Sequence, residues 1–386
     1  MLHRATSRLR RRGVPEDGAG MTRTRTSSGG GTTSEPPKPA DLLHAPRALA
    51  TMIPIVILIP CSREPGRRCR PAPRARLWVA ALVVACLAAS ACGRRGPNRT
   101  AASAGSKPTI VAGFYPLYEA ASRVGGDRFQ VLNLTPAGAE PHDLELTPDE
   151  VQRTLAAKLV LYIGSGFQPA LEDAVKRRGG SSIDVIQGMS LAAPPKAQGG
   201  DNAPEEGENL TFDPHVWLDP VLMSDIVSRT EKVLAGIDPP HAATYARNAQ
   251  SYRAELGALD TEYRGGLSGC SRRVIVTSHA AFGYLAKRYG LEQEAISGLS
   301  PESEPSPKRL QELAALVRSK GVTTIFGETL VSPKTADALA REAGVKTAVL
   351  DPIEGLTSDE VKAGKSYVTV MRDNLAALRT ALSCGT

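Results

Sequence analysis

Cysteine and histidine are both scarce in this sequence, with six residues of each type among 386. Four of the cysteines lie before residue 93, and only Cys270 and Cys384 lie beyond it. The sequence also lacks the HExxH pattern of many metallohydrolases and the CxxC pattern of many thiolate sites. These absences argue against a hydrolase of the HExxH kind and disfavour a copper(I) site, which needs soft sulfur ligands.

The chain has no basic excess outside its N-terminal region, although its formal net charge is +7. Of the 47 basic and 40 acidic residues, 15 and 5 precede Cys92, which leaves 32 basic and 35 acidic residues in the rest. Because the remainder is slightly acidic, the charge gives no support for a nucleic-acid partner.

The N-terminal region has the features of an export signal. Residues 1–75 are rich in Arg, Pro, Gly and Ser and are predicted to be a disordered leader, with translation expected to start downstream of Met1. Residues 76–92 combine arginine, an apolar run and small residues before Cys92, as signal peptides do. The segment Ala89-Ser90-Ala91-Cys92 resembles a bacterial lipobox, so Cys92 is the expected lipidation site. An ordinary cleaved signal and a single anchor helix are the alternatives.

After a tether at residues 93–106, strand patterns alternate with helix patterns. The alternation runs through residues 107–238, a helix pattern without a breaker covers residues 239–266, and the alternation returns in residues 267–386. This order predicts two similar α/β lobes with mostly parallel sheets, joined by a long rigid helix. A cleft between the lobes, at the carboxyl ends of the strands, is where such sheets bind ligands.

Three histidines occupy loop or strand-end positions that are expected to face this cleft. They are His142 in GAEPHDLEL, His215 in FDPHVWLDP and His279 in VIVTSHAAFGY, and Asp351 ends the last predicted strand in VLDPIEG. Three imidazoles and one carboxylate suit tetrahedral Zn²⁺. Considered one at a time, however, a histidine in such a position is more often a structural residue than a ligand, and the spacing alone does not decide.

The chain from PTIVAGFYPL to the C-terminus resembles the metal-binding lipoproteins of bacterial zinc and manganese ABC transporters. The motifs that carry the resemblance are GAEPHDLELTPDE, DPHVWLDP, VTSHAAFGYLAKRYGL, GLSPESEPSPKRL and VLDPIEGL. The resemblance implies two lobes with one metal ion between them, held by His142, His215, His279 and Asp351. Manganese-binding members of that family typically have glutamate where this chain has His279, so histidine here favours zinc.

Two further features have more than one interpretation. Glu328, in IFGET, is a candidate partner that orients a histidine ligand, or else an exposed strand-end carboxylate. Residues 192–211 form an acidic loop without histidine, whereas many zinc-binding members have a histidine-rich loop there. We therefore interpret this loop first as a solvated linker, with weak attraction of metal cations by its acidic residues as the alternative.

The two cysteines left in the exported part, Cys270 and Cys384, suggest one disulfide, with two free thiols as the alternative.

The sequence thus predicts a monomeric zinc-binding protein, not an enzyme, on the outer face of the bacterial cytoplasmic membrane. It would be held there by a lipid anchor and would deliver Zn²⁺ to an ABC permease and its ATPase. A manganese-binding protein of the same class is the alternative, and a secreted zinc hydrolase with Asp351 or Glu328 as general base is a more distant one.

Overall fold

The computed structural model describes residues 107–194, 210–302 and 305–385. The predicted leader, export signal, lipidation site Cys92 and tether lie outside these residues, as does most of the acidic loop. Within the described ranges, no helix is both long and apolar enough to cross a membrane.

The first lobe is built on a four-stranded parallel sheet with the strand order β2-β1-β3-β4. Its strands are β1 (Thr109–Ala112), β2 (Gln130–Asn133), β3 (Leu159–Tyr162) and β4 (Ser181–Asp184). Its helices are α1 (Tyr115–Gly125), α2 (Pro148–Ala156) and α3 (Pro169–Arg177). The two central strands, β1 and β3, are almost wholly buried, as expected for strands covered on both faces.

The second lobe repeats this arrangement, with the strand order β6-β5-β7-β8 and all pairs parallel. Its strands are β5 (Val274–Thr277), β6 (Glu292–Ala295), β7 (Thr324–Gly327) and β8 (Lys346–Val349). Its helices are α6 (Gly283–Tyr289), α7 (Pro307–Lys320), α8 (Lys334–Ala343), α9 (Ser358–Lys362) and α10 (Tyr367–Ala381). The predicted fold class, two α/β lobes with parallel sheets, is confirmed.

Local sequence signals explain where several helices begin. Thr147 caps α2 and forms a capping box with Glu150, because each residue's side chain accepts a hydrogen bond from the other's backbone N–H. Proline stands in the first turn of both α2 and α3, where a missing N–H costs nothing. The threonine that opens the stretch TPDEVQRTLAAKL is therefore the N-cap of α2.

Two consecutive helices, α4 (Pro220–Ile237) and α5 (Ala242–Ser268), lie between the sheets in the chain. The 27-residue helix α5 buries one face, and its buried residues recur every three or four positions: Tyr245, Ala249, Tyr252, Leu256, Leu259, Tyr263 and Leu267. Near its start, Asn248 donates a hydrogen bond to the Val124 carbonyl of α1, and near its end the hydroxyl of Tyr263 donates one to the Met371 carbonyl of α10. The helix therefore contacts both lobes.

The boundaries of α5 differ slightly from the predicted helix at residues 239–266. A 3-10 turn at Pro239–His241 precedes the α-helix, which continues through Gly265 and Gly266 to Ser268. A β-carbon at Gly266 would lie 3.1 Å from Cδ1 of Leu375 on α10. Gly266 therefore permits close packing between two helices and does not end the helix.

The disulfide predicted between Cys270 and Cys384 is present in the structure. It joins the segment after α5 to the segment after α10, where the two cysteines also form an isolated antiparallel bridge. Backbone hydrogen bonds from Ser271 to Ser383 and from Arg272 to Leu382 support the same contact. The C-terminal tail is thereby fixed to the start of the second lobe.

Because this bridge closes a loop with a sequence separation of 114 residues, its loss should destabilise the protein. We expect the double variant Cys270→Ser/Cys384→Ser to lose about 2–5 kcal/mol of unfolding free energy, measured by urea denaturation of the metal-free protein. Chemical reduction of the wild type should produce a similar loss. An unchanged unfolding midpoint in both cases would contradict a stabilising role for the disulfide.

Candidate metal centre

The rings of His142, His215 and His279 come together although they belong to three separate segments of the chain. The ring centroid of His215 lies 5.6 Å from that of His142 and 5.2 Å from that of His279. His215 and His279 are fully buried, and the side chain of His142 is 7% exposed. The three predicted histidines thus form one buried cluster.

His142 follows β2 in a loop that is anchored to the first lobe by Gln168. The buried amide of Gln168 donates hydrogen bonds to the Pro141 carbonyl at 3.3 Å and to the Gly113 carbonyl at 3.2 Å. A β-carbon at Gly113 would lie only 2.2 Å from Oε1 of Gln168, so glycine is required for this approach. The loop position of His142 therefore depends on the carboxyl end of β1 and the start of α3.

His215 is oriented by Asp213, which sequence reasoning did not identify. Oδ1 of Asp213 accepts hydrogen bonds from the backbone N–H of His215 at 2.9 Å and from its Nδ1 at 2.8 Å. With this oxygen as the acceptor, Nδ1 is the donor and Nε2 is left to act as a ligand atom. The signal was available in the FDPH stretch, since Asp commonly accepts from the backbone N–H two residues later.

His279 follows β5 and is oriented by Glu328, which follows the adjacent parallel strand β7. Nδ1 of His279 lies 2.8 Å from both carboxylate oxygens of Glu328, and the backbone N–H of His279 donates to Oε1 at 3.1 Å. The carbonyl of His279 is fixed in turn by Thr277 and Gln293. Glu328 thus lies beside an imidazole and is largely buried, with 7% of its surface exposed.

Glu354 supplies a carboxylate oxygen at the centre of the three imidazoles. Its Oε1 lies 3.3 Å from Nε2 of His142, 3.1 Å from Nε2 of His215 and 3.2 Å from Nε2 of His279. The four potential ligand atoms all lie within 4.8 Å of one another. The second oxygen of Glu354, Oε2, is buried and has no hydrogen-bond partner among the described residues.

Four of these separations match the edges of a tetrahedral site. Bonds of ~2.0–2.1 Å to a tetrahedral metal ion separate the ligand atoms by about 3.3 Å. Four of the distances in the cluster fall between 3.1 and 3.3 Å, including 3.3 Å between Nε2 of His215 and Nε2 of His279. The donor set of three nitrogens and one oxygen therefore fits a divalent ion such as Zn²⁺.

The fourth residue of this cluster differs from the sequence-based assignment, because Asp351 lies outside it and Glu354 lies within. The carboxylate of Asp351 accepts hydrogen bonds from the backbone N–H of Ile353 at 2.7 Å and from the hydroxyl of Thr329 at 2.9 Å. β8 ends at Val349, and the chain then turns through Pro352 and Ile353 before Glu354 points into the cluster. Asp351 instead shapes the turn that carries Glu354.

The charges around the cluster favour a bound cation. Burial opposes ionisation, but the imidazoles of His279, His142 and His215 hold the pKa of Glu354 well below its usual range. Burial also opposes an imidazolium, but the carboxylates of Glu328 and Glu354 hold the pKa of His279 well above its usual range. The site therefore stabilises positive charge near Nε2 of His279.

Glu140 is a further acidic side chain near the cluster, in the GAEPH stretch that also contains His142. Its Oε1 accepts a hydrogen bond from the backbone N–H of His142 at 3.3 Å, and its Oε2 is buried without a partner among the described residues. Burial and the charge of Glu354 raise the pKa of Glu140 to about 9. A neutral Glu140 leaves Glu354 as the charged oxygen donor of the cluster.

The fold and the cluster together define a two-lobed α/β protein with a candidate metal centre of three histidines and one glutamate. The family described as "Zinc-uptake complex component A periplasmic" (ZnuA) matches residues 110–381. The chain belongs to this family, which is named for zinc uptake and not for a catalysed reaction.

Similar proteins include the zinc-binding lipoprotein AdcA of Streptococcus pneumoniae, which is 40% identical over 280 residues. That match covers 72% of this chain and 56% of the relative, so the chain spans about half the length of this relative. The high-affinity zinc uptake system protein ZnuA of Bacillus subtilis is 35% identical over 314 residues, covering 78% of this chain and 96% of the relative.

Among solved structures, the Zn(II)-bound ZnuA-like domain of S. pneumoniae AdcA is similar to this chain, with a TM-score of 0.60 and 38% identity. The similarity covers 72% of this chain and 99% of that domain.

We expect the variant Glu328→Gln to bind Zn²⁺ about 10–100-fold more weakly than the wild type, because the carboxylate that orients His279 loses its charge. Competition with a fluorescent zinc chelator would measure the affinity. Glu262→Gln is a matched control, because Glu262 is an exposed carboxylate paired with Arg372 on the surface. Equal affinities for both variants would contradict an orienting role for Glu328.

The two carboxylates Asp351 and Glu354 can be separated by conservative amide substitutions. Glu354→Gln should weaken zinc binding by more than about tenfold, because it removes the charged oxygen among the imidazoles. Asp351→Asn should bind zinc much like the wild type, because its Oδ1 can still accept from the N–H of Ile353. The same chelator assay decides, and the opposite ranking would restore Asp351 as the fourth ligand.

Proposed function

We propose that this protein binds one Zn²⁺ ion between its two lobes, outside the cytoplasmic membrane, and delivers it to an ABC permease for uptake. The ligands would be His142, His215, His279 and Glu354. The supporting observation is the position of the Glu354 carboxylate, whose Oε1 lies 3.1–3.3 Å from Nε2 of all three histidines. Membership of the zinc-uptake family supports the same proposal.

Zinc fits this donor set better than manganese does. Imidazole nitrogen suits zinc, whereas manganese prefers carboxylate, carbonyl and water oxygens at higher coordination number. Three of the four donors are nitrogens, and His215 and His279 each donate from Nδ1 to a buried carboxylate that fixes the ring. Such fixed rings keep their Nε2 lone pairs directed at a small tetrahedral ion.

The site is suited to capture and release, not to catalysis. A hydrolytic zinc ion keeps one position open for water, whereas four protein ligands complete a tetrahedral shell. Because the ligands come from both lobes, moving the lobes apart would separate the donors. Delivery to the permease would therefore need only a conformational change.

The location outside the membrane follows from the sequence features that precede the lobes. Residues 76–92 have the pattern of an export signal, and lipidation of Cys92 would hold the protein at the outer face of the cytoplasmic membrane. Residues 93–106 would then act as a tether between the anchor and the first lobe. The disulfide between Cys270 and Cys384 agrees with an oxidising compartment.

The sharpest test removes the fully buried ligand His215. We expect His215→Ala to bind Zn²⁺ more than about 100-fold more weakly than the wild type in equilibrium dialysis, because losing a ligand should cost more than losing its orienting partner. His241→Ala is the matched control, because His241 pairs with Asp238 before α5. It should retain one zinc ion per chain.

Two further measurements complete this test. Competition between Zn²⁺ and Mn²⁺ should favour zinc in the wild type, and preference for manganese would overturn the choice of metal. In zinc-limited cells that lack the chromosomal copy, the wild type and His241→Ala should restore zinc uptake, and His215→Ala should not. Normal zinc binding and uptake with His215→Ala would refute the proposed function.

A further inference from the structure

The turn that carries Glu354 has an unfavourable backbone conformation that neighbouring groups stabilise. Ile353 has φ +55°, in the left-handed region where a β-branched residue is seldom found. Its N–H donates to Asp351, and the side chain of Asn374 on α10 both accepts from the Asp351 N–H and donates to the Asp351 carbonyl. Such a turn persists only where its surroundings hold it in place.

One of these surrounding groups comes from the other lobe. The indole Nε1 of Trp217 donates a hydrogen bond of 2.8 Å to the carbonyl of Pro352, between Asp351 and the strained Ile353. Trp217 stands two residues after His215 and packs against Phe114 and Phe167 of the first lobe, with ring centroids 4.7 and 5.8 Å away. Trp217 therefore contacts both the His215 segment and the Glu354 turn.

The second lobe also holds the backbone of Trp217. The hydroxyl of Tyr367, at the start of α10, donates a hydrogen bond of 2.5 Å to the Trp217 carbonyl. Trp217 and Tyr367 are both fully buried, so neither hydrogen bond can be replaced by bulk water while the lobes are together. The indole N–H and the carbonyl of one residue thus join the lobes beside the metal centre.

We propose that Trp217 is a positioning residue that links the two halves of the metal centre, because its indole N–H holds the Pro352 carbonyl and thereby keeps Glu354 directed at the three histidines. The inference rests on the proposed function. Separation of the lobes must break the hydrogen bond between Trp217 and Pro352. Glu354 then loses its support in the same motion that carries His142 and His215 away.

A role in packing alone would give a different result from a role in positioning Glu354. Trp217→Phe keeps an aromatic ring but removes the N–H. Tyr263→Phe is the matched control, because it also removes a buried donor to a backbone carbonyl, that of Met371, where α5 packs against α10. Both variants should lose some stability, and only a positioning role predicts that they differ in zinc release.

The experiment measures zinc dissociation from the full chain by stopped flow with an excess of chelator. We expect Trp217→Phe to release zinc about tenfold faster than the wild type, and Tyr263→Phe to release it at the wild-type rate. Combining Trp217→Phe with Glu354→Gln should add little to the effect of Glu354→Gln alone, because both changes act on the same ligand. A wild-type rate for Trp217→Phe, or fully additive effects, would overturn the proposal.

If Trp217→Phe fails to fold, the indole of Trp217 can instead be replaced by an analogue that lacks the N–H. The chain has only two tryptophans, Trp78 and Trp217. Both can be replaced biosynthetically by benzothienylalanine, which has nearly the same shape but sulfur in place of the N–H. The analogue at position 217 should again make zinc release faster. The variant Trp78→Phe is the control for the replacement at position 78. An unchanged release rate would overturn the proposal.

The outcomes also separate this proposal from the proposed function. If His215→Ala and Glu354→Gln bind zinc like the wild type, the metal centre itself is misassigned. If those variants lose zinc while Trp217→Phe releases it at the wild-type rate, the centre stands and only the positioning role of Trp217 fails.

Discussion

The carboxylate of Glu354 is the group around which the candidate metal centre is arranged. A fully buried carboxylate is costly unless positive or hydrogen-bonding partners surround it, and here its Oε1 faces three imidazole nitrogens. The imidazoles come from both lobes, and two of them are fixed by further carboxylates, Asp213 and Glu328. The stable position of this one side chain therefore requires both lobes to be together.

The fold places these groups at one point because of how parallel sheets are built. In each lobe a central strand ends next to the site. β1 ends at Ala112, just before Gly113, whose carbonyl helps to anchor the His142 loop, and β5 leads to His279. Glu328 reaches His279 because β7 pairs with β5 in parallel, so that both strands end at the same edge. Loops at the carboxyl ends of strands thus supply both the donors and the groups that orient them.

Much of this arrangement could be predicted from the sequence. The alternation of strand and helix patterns predicts both lobes. The three histidines are candidates from their loop and strand-end positions, and the resemblance to the transporter lipoproteins makes them the expected ligands. The disulfide was predicted from the two cysteines left in the exported part. The lobes and the disulfide depend on periodicity and on residue type, which a single sequence displays directly.

The fourth residue of the cluster depends on geometry that the sequence does not display. A strand-end carboxylate is a reasonable ligand, which favoured Asp351, but the chain after β8 passes through a left-handed residue before it reaches Glu354. Because isoleucine rarely adopts a left-handed backbone conformation, no residue pattern in the sequence predicts this turn. Asp213 and Glu140 lie within the FDPH and GAEPH stretches, but the contact of Asp213 with a ring nitrogen and the burial of Glu140 depend on side-chain positions that the sequence does not display.

Gly266 lies in α5, the long helix that contacts both lobes, and its close packing affects how that helix can be engineered. A glycine in the last turn of a long helix is an obvious candidate for replacement by alanine, the residue with the highest helix propensity. At this position the added methyl group would lie 3.1 Å from Cδ1 of Leu375. Leu375 follows Asn374, whose side chain hydrogen-bonds to the backbone of Asp351 in the turn that carries Glu354. A substitution chosen to stabilise the helix would thus require Leu375, beside the residues of the Glu354 turn, to shift by a few tenths of an ångström.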